Sequence, residues 1–504
     1  MYLLAASLPC CLLTASFWAA APAGPSPADL AAKAQKGKEA MAAGRFDEAA
    51  VLYGEISRAL PNEPGMLLNL GMALSMAGRP REAVPHLEAA LRLRPDLLPA
   101  SLFLGAARLE LGQPARAVEP LQKVLAGQPD NQEARRRLAD ALWALERFAP
   151  AVQEYLTLAG QVPQDPRAWY GLGQSYEGLA RVALKRLQVA APDSDYVLRL
   201  VADTMIAEGR LANAFRLYRE ALEKRPRLAE AHDALARIYE GSGHPEWAAI
   251  ERERSRGIPP LDCRAPSLEC DFHARRYASV LTKAHGLGTA EGLYWESRAA
   301  RQLATDAFSR LEQLPPSAEA TLRRVELLRS RQRTQAREVI GDLTKAAQIW
   351  PEDIRIRREL ATVLLMVGDS EAAQPILEDL LKREPESPEA ALALGETLLK
   401  AQQPARAIGL LERVVRHDPR MLPAQAALGQ AYVAAGEMTK AITPLEAALE
   451  TDEDGSLHYQ LARAYRATGR AEQASRALAR FQELRKSADA EAQSLREEFQ
   501  ITPP

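Results

Sequence analysis

Residues 64–97 read PGMLLNLGMALSMAGRPREAVPHLEAALRLRPDL, and this stretch decides the fold. Gly71 is followed twelve residues later by Ala83, sixteen later by Leu87 and twenty-four later by Pro95. The turn Gly78-Arg79-Pro80 divides the stretch into two segments, each long enough for a helix of three to four turns. A glycine on the first segment lets the second approach closely, and Ala83 does the same from the other side. Large residues at intervals of three and four fill the seam between the two segments. Pro95 cannot continue the second helix and so closes the unit.

The same frame recurs on both sides. Gly37, Gly71, Gly105, Ala139 and Gly173 stand 34 residues apart, with Pro61, Pro95, Pro129 and Pro163 closing the first four units. Ala49, Ala83, Ala117 and Ala151 hold the close-approach position of the second helix, and Tyr53, Leu87, Leu121 and Tyr155 the large one. Further on, Ala202 and Ala236 restart the frame, and Leu327, Ala361, Gly395 and Gly429 carry it at the same spacing. Ala462, Tyr465, Ala474, Leu478 and Phe481 form a last unit.

With Trp169, Leu172-Gly173 and Tyr176 in one unit, and Ala441, Leu445 and Ala448 in another, the chain resembles the tetratricopeptide repeat family from about Asp29 to Arg485. The resemblance implies an all-α fold: an α-solenoid in which antiparallel helix hairpins stack into a right-handed superhelix with a concave face. It implies protein partners and no catalysis. A chain of 504 residues is too long for one compact core, and a solenoid resolves this because each unit contacts only its neighbours.

Composition excludes other classes. Lys and Arg number 64 against 66 Asp and Glu, a net charge of −2, which gives no electrostatic reason to bind nucleic acid or an anionic membrane. No phosphate loop, nucleophile elbow or His-Glu-x-x-His pattern occurs, and the Gly171-Leu172-Gly173 pair lies inside a helix. The seven histidines scatter over different units. No cofactor, metal or small-molecule substrate is expected.

Leu3 to Ala20 is apolar, small residues follow through Ala23, and the first charged side chain is Asp29. This predicts a signal peptide over 1–23 and export to the periplasm or cell envelope. It lacks a basic residue ahead of the apolar run, so a true start elsewhere, retention as a membrane anchor and a buried N-terminal helix are the other readings. Of four cysteines, Cys10 and Cys11 fall in this segment. Cys263 and Cys270 admit two readings: a disulfide formed in an oxidising compartment, or a buried small Cys270 opposite the place Ala141 holds in an earlier unit.

Two stretches break the frame and resemble each other. Leu179-Ala180, Ala183, Leu184 and Leu187 recur 124 residues on as Leu303-Ala304, Ala307, Phe308 and Leu311. Neither stretch has a glycine turn, so each reads as one long helix or a tight hairpin, and the pair as an internal duplication. Gly257 to Gly292 is the weakest repeat and the candidate hinge.

The expected organisation is a signal peptide over 1–23, an N-terminal array over 24–260 and degenerate repeats over 261–320. A C-terminal array over 321–485 follows, then a capping helix and frayed tail over 486–504. The resemblance places Leu68, Met72, Met76, Leu102, Phe103, Leu109, Trp143 and Tyr170 toward the concave groove. Binding partner peptides or helices there and packing on neighbouring helices are both open. Farther along, the mapped face is more polar, with Arg355, Arg358, Glu396, Lys400, Arg463 and Arg466. The function read from this is a non-catalytic scaffold. The alternative is an accessory or regulatory subunit of a separate envelope enzyme such as a transferase or polysaccharide or secretion machinery.

Overall fold

The structure, a computed structural model, describes residues 26–331, 336–498 and 500–504, apart from the side chains of 328–331 and 491–498. The expected signal peptide, with Cys10 and Cys11, lies outside the described residues. Among the described residues there are helices and no strands, as the repeat requires. The chain forms two compact units, Met1–Gln161 and Val162–Pro504.

The first unit is four hairpins: α1 (Pro27–Ala42) with α2 (Phe46–Ala59), α3 (Pro64–Met76) with α4 (Pro80–Leu93), α5 (Leu98–Glu110) with α6 (Pro114–Gly127), and α7 (Gln132–Ala144) with α8 (Phe148–Gln161). Proline opens α3, α4 and α6, where its missing N–H costs nothing. Gly78 turns the α3–α4 hairpin at φ +72°, a backbone that side chains resist; the α7–α8 turn forces Glu146 into the same region at φ +55°. The close approach is tight: a Cβ added at Gly71 would lie 2.5 Å from Leu87, and one at Gly105 would lie 2.5 Å from Leu121. Both leucines are fully buried, as are Ala83 and Ala117 beside them.

The second unit contains α9 (Pro166–Ala190), α10 (Asp195–Ala207), α11 (Leu211–Lys224), α12 (Ala229–Gly241), α13 (Pro245–Arg256), α14 (Leu268–His273), α15 (Tyr277–His285) and α16 (Ala290–Glu312). It continues through α17 (Ala318–Arg331), α18 (Ala336–Ile349), α19 (Ile354–Met366), α20 (Ser370–Arg383), α21 (Pro388–Lys400) and α22 (Pro404–His417). It ends in α23 (Leu422–Ala434), α24 (Met438–Ala447), α25 (Ser456–Ala467) and α26 (Ala471–Glu498).

The two frame-breaking stretches are the long helices α9 and α16, and they pack antiparallel on each other more extensively than any other pair. In every regular unit the close-approach glycine meets the residue sixteen positions on. Gly173 instead meets Phe308: an added Cβ would lie 2.5 Å from its ring. The residue sixteen positions on, Val189, is 87% exposed. Farther along the same seam, the buried Ser297 hydroxyl donates to the Ala180 carbonyl at 3.0 Å. Under the 124-residue offset, Ser297 is the counterpart of Gly173, and Phe308 that of Leu184. The duplicated hairpins have therefore exchanged halves. The first half of α9 pairs with the second half of α16, and the first half of α16 with the second half of α9.

Two stacks leave this crossed pair. One runs through α10–α11 to α12–α13, and α14–α15 packs on α16. The other runs through α17–α18 to α25–α26. Residues 257–267 carry the chain out of the first stack to α14, where Ser267 caps the helix by accepting from the Cys270 N–H at 3.1 Å. Cys263 and Cys270 are joined by a disulfide, with their Cα atoms 5.6 Å apart, and Cys270 is buried as well. The disulfide closes a loop of eight residues, and chain entropy over so short a loop is worth about 2.5 kcal/mol. Cys263→Ser is expected to leave the stacks folded and to raise amide exchange in α14 and α15 alone, measured by mass spectrometry.

The tail differs from expectation. It does not fray: Ile501 packs against the core of α10–α13, and the buried Tyr239 hydroxyl donates to the Thr502 carbonyl at 2.8 Å. The second helix of the last hairpin and the expected capping helix are one, α26, of 28 residues.

Candidate peptide-binding groove

In the first unit, the first helices of successive hairpins touch one another, α3 with α5 and α5 with α7, so their faces form the inner surface of the stack. Leu68, Met72 and Met76 follow one another at intervals of four along α3, one above the other on a helix face. Leu102 and Leu109 continue the surface on α5, and Trp143 on α7. Met76 is 46% exposed and Trp143 is 40% exposed, while Leu68, Met72, Leu102 and Leu109 are half-buried. Phe103 is half-buried too and, like Leu68, packs against the core around Leu67 and Leu70.

Two residues that the sequence reading passed over complete this surface. Arg136 and Asp140 lie 68 positions, two repeats, beyond Leu68 and Met72, so the repeat register itself points to them. Arg136 is clamped between Glu133, at 2.8 Å from both carboxylate oxygens, and Asp140 at 3.1 Å. The Tyr155 hydroxyl donates to Asp140 at 2.6 Å. Burial pushes the Asp140 carboxyl above the usual range, and that hydrogen bond and Arg136 hold it down. Glu110 on α5 is likewise pushed up by burial, opposed by the charge of Arg137. The groove is apolar along α3 and α5 up to Glu110 at the end of α5, and carries fixed, opposed charges on α7.

Tyr170 belongs to the second unit. Its hydroxyl donates to Glu326 of α17 at 2.6 Å, and its ring lies 6.3 Å from that of Phe308. Gln174 donates to the same carboxylate at 3.0 Å, and Arg323 pairs with Glu177 at 3.0 Å. These contacts tie α9 to α17.

The corresponding inner face of the α10–α13 stack is closed by its own ion pairs. Arg199 reaches Asp195 at 2.9 Å and the Tyr294 hydroxyl at 2.8 Å, and Arg298 pairs with Glu230 and with Tyr294. Tyr218 donates to Asp203, whose carboxyl burial pushes up while that hydrogen bond holds it down. In the other stack, Arg355 is held by Asp353 and Glu319, each at 2.6 Å, and Arg358 by Glu384 at 2.7 Å. Burial pushes the Glu396 carboxyl up, with Lys400 opposing. Arg463 and Arg466 line an open cleft of about 360 Å³ with Tyr459 and Met438.

Among the described residues no group of three or more His, Cys, Asp or Glu side chains could hold a metal, and no helix is long and apolar enough to cross a membrane. What the inner faces offer is apolar area and fixed charge, the means of recognition.

Family comparison matches residues 40–96, 108–174 and 398–457 to a tetratricopeptide repeat profile, and residues 358–419 to a second profile of that description. No curated protein matches the chain. Among solved structures, the chain is similar to a crystal structure of MamA protein, at 22% identity and a TM-score of 0.28, covering 39% of this chain and 92% of that one. It is also similar to MamA from Desulfovibrio magneticus RS-1, at 19% identity and a TM-score of 0.22, covering 39% and 94%. The matched segments include the hairpins that carry the Gly71–Leu87, Gly395–Leu411 and Gly429–Leu445 contacts, so the chain carries tetratricopeptide repeats in both units, with the helical arrays of a protein-interaction scaffold.

Proposed function

We propose that this protein is a non-catalytic scaffold of the periplasm or cell envelope, and that the groove of the first unit holds a helix or extended segment of a partner protein. One observation carries the reading: Met76 and Trp143 remain exposed on an inner face whose neighbours, Leu68, Met72, Leu102 and Leu109, are apolar. Methionine adapts to partner surfaces, and tryptophan is enriched among the residues that carry most of the binding energy at interfaces. Covering apolar area here contributes roughly 25 cal/mol per Å² before the cost of ordering the ligand. The charges of Arg136 and Asp140 set the direction in which a charged partner segment lies. The apolar run Leu3 to Ala20 and the Cys263–Cys270 disulfide support the location.

Met72→Asp combined with Leu102→Asp tests the groove. Both side chains are half-buried, so the variant is first checked for unchanged thermal unfolding. Affinity purification from envelope extract is expected to recover a defined partner set with the parent chain and to lose it, at least tenfold by quantitative mass spectrometry, with the variant. Identical recovery from both chains would overturn the groove assignment.

A further inference from the structure

The α12–α13 hairpin ends its stack, because the chain then leaves through residues 257–267. In a solenoid the outer face of each hairpin is covered by the next one, and an end needs its own cover. Here a run of aromatic rings extends from α11 through α12 to α13. Phe215 lies 5.6 Å from Tyr239, Tyr239 lies 5.5 Å from Trp247, and His244 stacks on Trp247 at 3.8 Å. Residues 500–504 supply the cover. Ile501 packs against the α10–α13 core that contains Phe215 and Tyr239, and the Thr502 carbonyl accepts from the Tyr239 hydroxyl. Tyr239 is fully buried, so that hydroxyl proton needs an acceptor at this place.

The segment suits the role. Pro503 restricts Thr502 to extended backbone, and Pro503 and Pro504 carry no N–H to desolvate. An aliphatic side chain, one carbonyl and a stiff extended backbone lose little entropy on docking. The contact is small, so it holds chiefly because the segment is tethered. A linker of matching length gives a tethered ligand an effective concentration near millimolar. That linker is the part of α26 beyond the hairpin, residues 486–498, about 20 Å of helix. It leads from the last hairpin of one stack to the last hairpin of the other, so docking closes the second unit into a ring.

We propose that the outer face of α12–α13 is a docking site for a short extended segment of aliphatic-Thr-Pro-Pro chemistry, and that residues 500–504 occupy it in cis as a releasable latch. The site is separate from the groove of the first unit and stands or falls independently of it. A segment of the same chemistry in another protein enters only when the latch leaves.

The probe is a fluorescein-labelled peptide of residues 500–504, titrated by fluorescence anisotropy against the full chain and against a chain lacking 500–504. Saturable binding to the shortened chain, at least tenfold weaker binding to the full chain, and loss of binding when the peptide carries Ile501→Asp are expected. Tyr239→Phe in the shortened chain keeps the ring and is expected to weaken the peptide severalfold. Removing 500–504 is also expected to raise amide exchange in α12 and α13 without changing helix content. No binding to the shortened chain at millimolar peptide, equal binding to both chains, or unchanged exchange would each overturn the proposal. A concentration-dependent dimer of the full chain that dissociates when 500–504 is removed would overturn cis occupancy.

Discussion

Gly173→Val is expected to destabilise the second unit by about 3 kcal/mol, the upper range for forcing extra volume into a packed seam. The added carbons fall on the Phe308 ring, already within 2.5 Å of where a Cβ would stand. Phe308 is itself buried, so it has little room to give. The gain in helix propensity over glycine, under about 1 kcal/mol, does not offset this. Phe308→Ala alone costs about 3–5 kcal/mol through the cavity it leaves. Combined, the two changes compensate, because valine fills space that the ring vacates. The double variant is expected to be more stable than the sum of the singles by at least 1 kcal/mol in urea unfolding. Val189, where a locally closed hairpin would put the partner of Gly173, serves as the control: Val189→Ala is expected to be neutral and additive with Gly173→Val. Additivity for the Phe308 pair together with coupling to Val189 would mean that the halves are not exchanged.

The second large effect is expected at Arg199. Its side chain is buried, and it holds Asp195 at 2.9 Å, Glu230 at 3.4 Å and the Tyr294 hydroxyl at 2.8 Å. Removing one member of such a network strands the others, at about 3–5 kcal/mol. The low end, about 3 kcal/mol, applies here, since Arg225 still pairs with Asp195 at 3.0 Å and Arg298 still pairs with Glu230. Arg199→Met retains most of the volume but not the charge, so it is expected to fare little better than Arg199→Ala in chemical denaturation. Asp195→Asn in the Arg199→Ala background is expected to recover part of the loss. A large advantage of methionine over alanine would show that packing, and not stranded charge, sets the cost.

Both effects arise where the linear pattern stops being informative. The regular hairpins are legible because their defining contact is local: Gly71 and Leu87 are joined by a single turn, and their spacing declares the pairing. The groove is legible for the same reason in the first unit, where Leu68, Met72 and Leu102 follow the register. Arg136 and Asp140 follow it too, but charged residues at those positions look like any solvated helix face. Tyr170 has the register of a groove residue, two repeats beyond Leu102, yet its hydroxyl is committed to Glu326, 156 residues away. No spacing rule reaches across that distance.

The amino-acid sequence alone determined the helical class, the 34-residue hairpin and the lack of a glycine turn in α9 and α16, because propensity, glycine turns and close-packing alanines act over a few residues. The choice between one long helix and a tight hairpin there was left to the tertiary structure. Which long helix pairs with which was decided only in three dimensions. Phe308 and Leu184 sit at equivalent positions of a duplicated element, and each can fill the space over either counterpart, so the helix that runs straight past its turn takes the partner it meets. The docking of Ile501 and Thr502 was likewise a tertiary outcome. Nothing periodic marks Ile-Thr-Pro-Pro as a ligand; the length of α26 brings it to the one stack end where a run of aromatic rings and the Tyr239 hydroxyl await a cover.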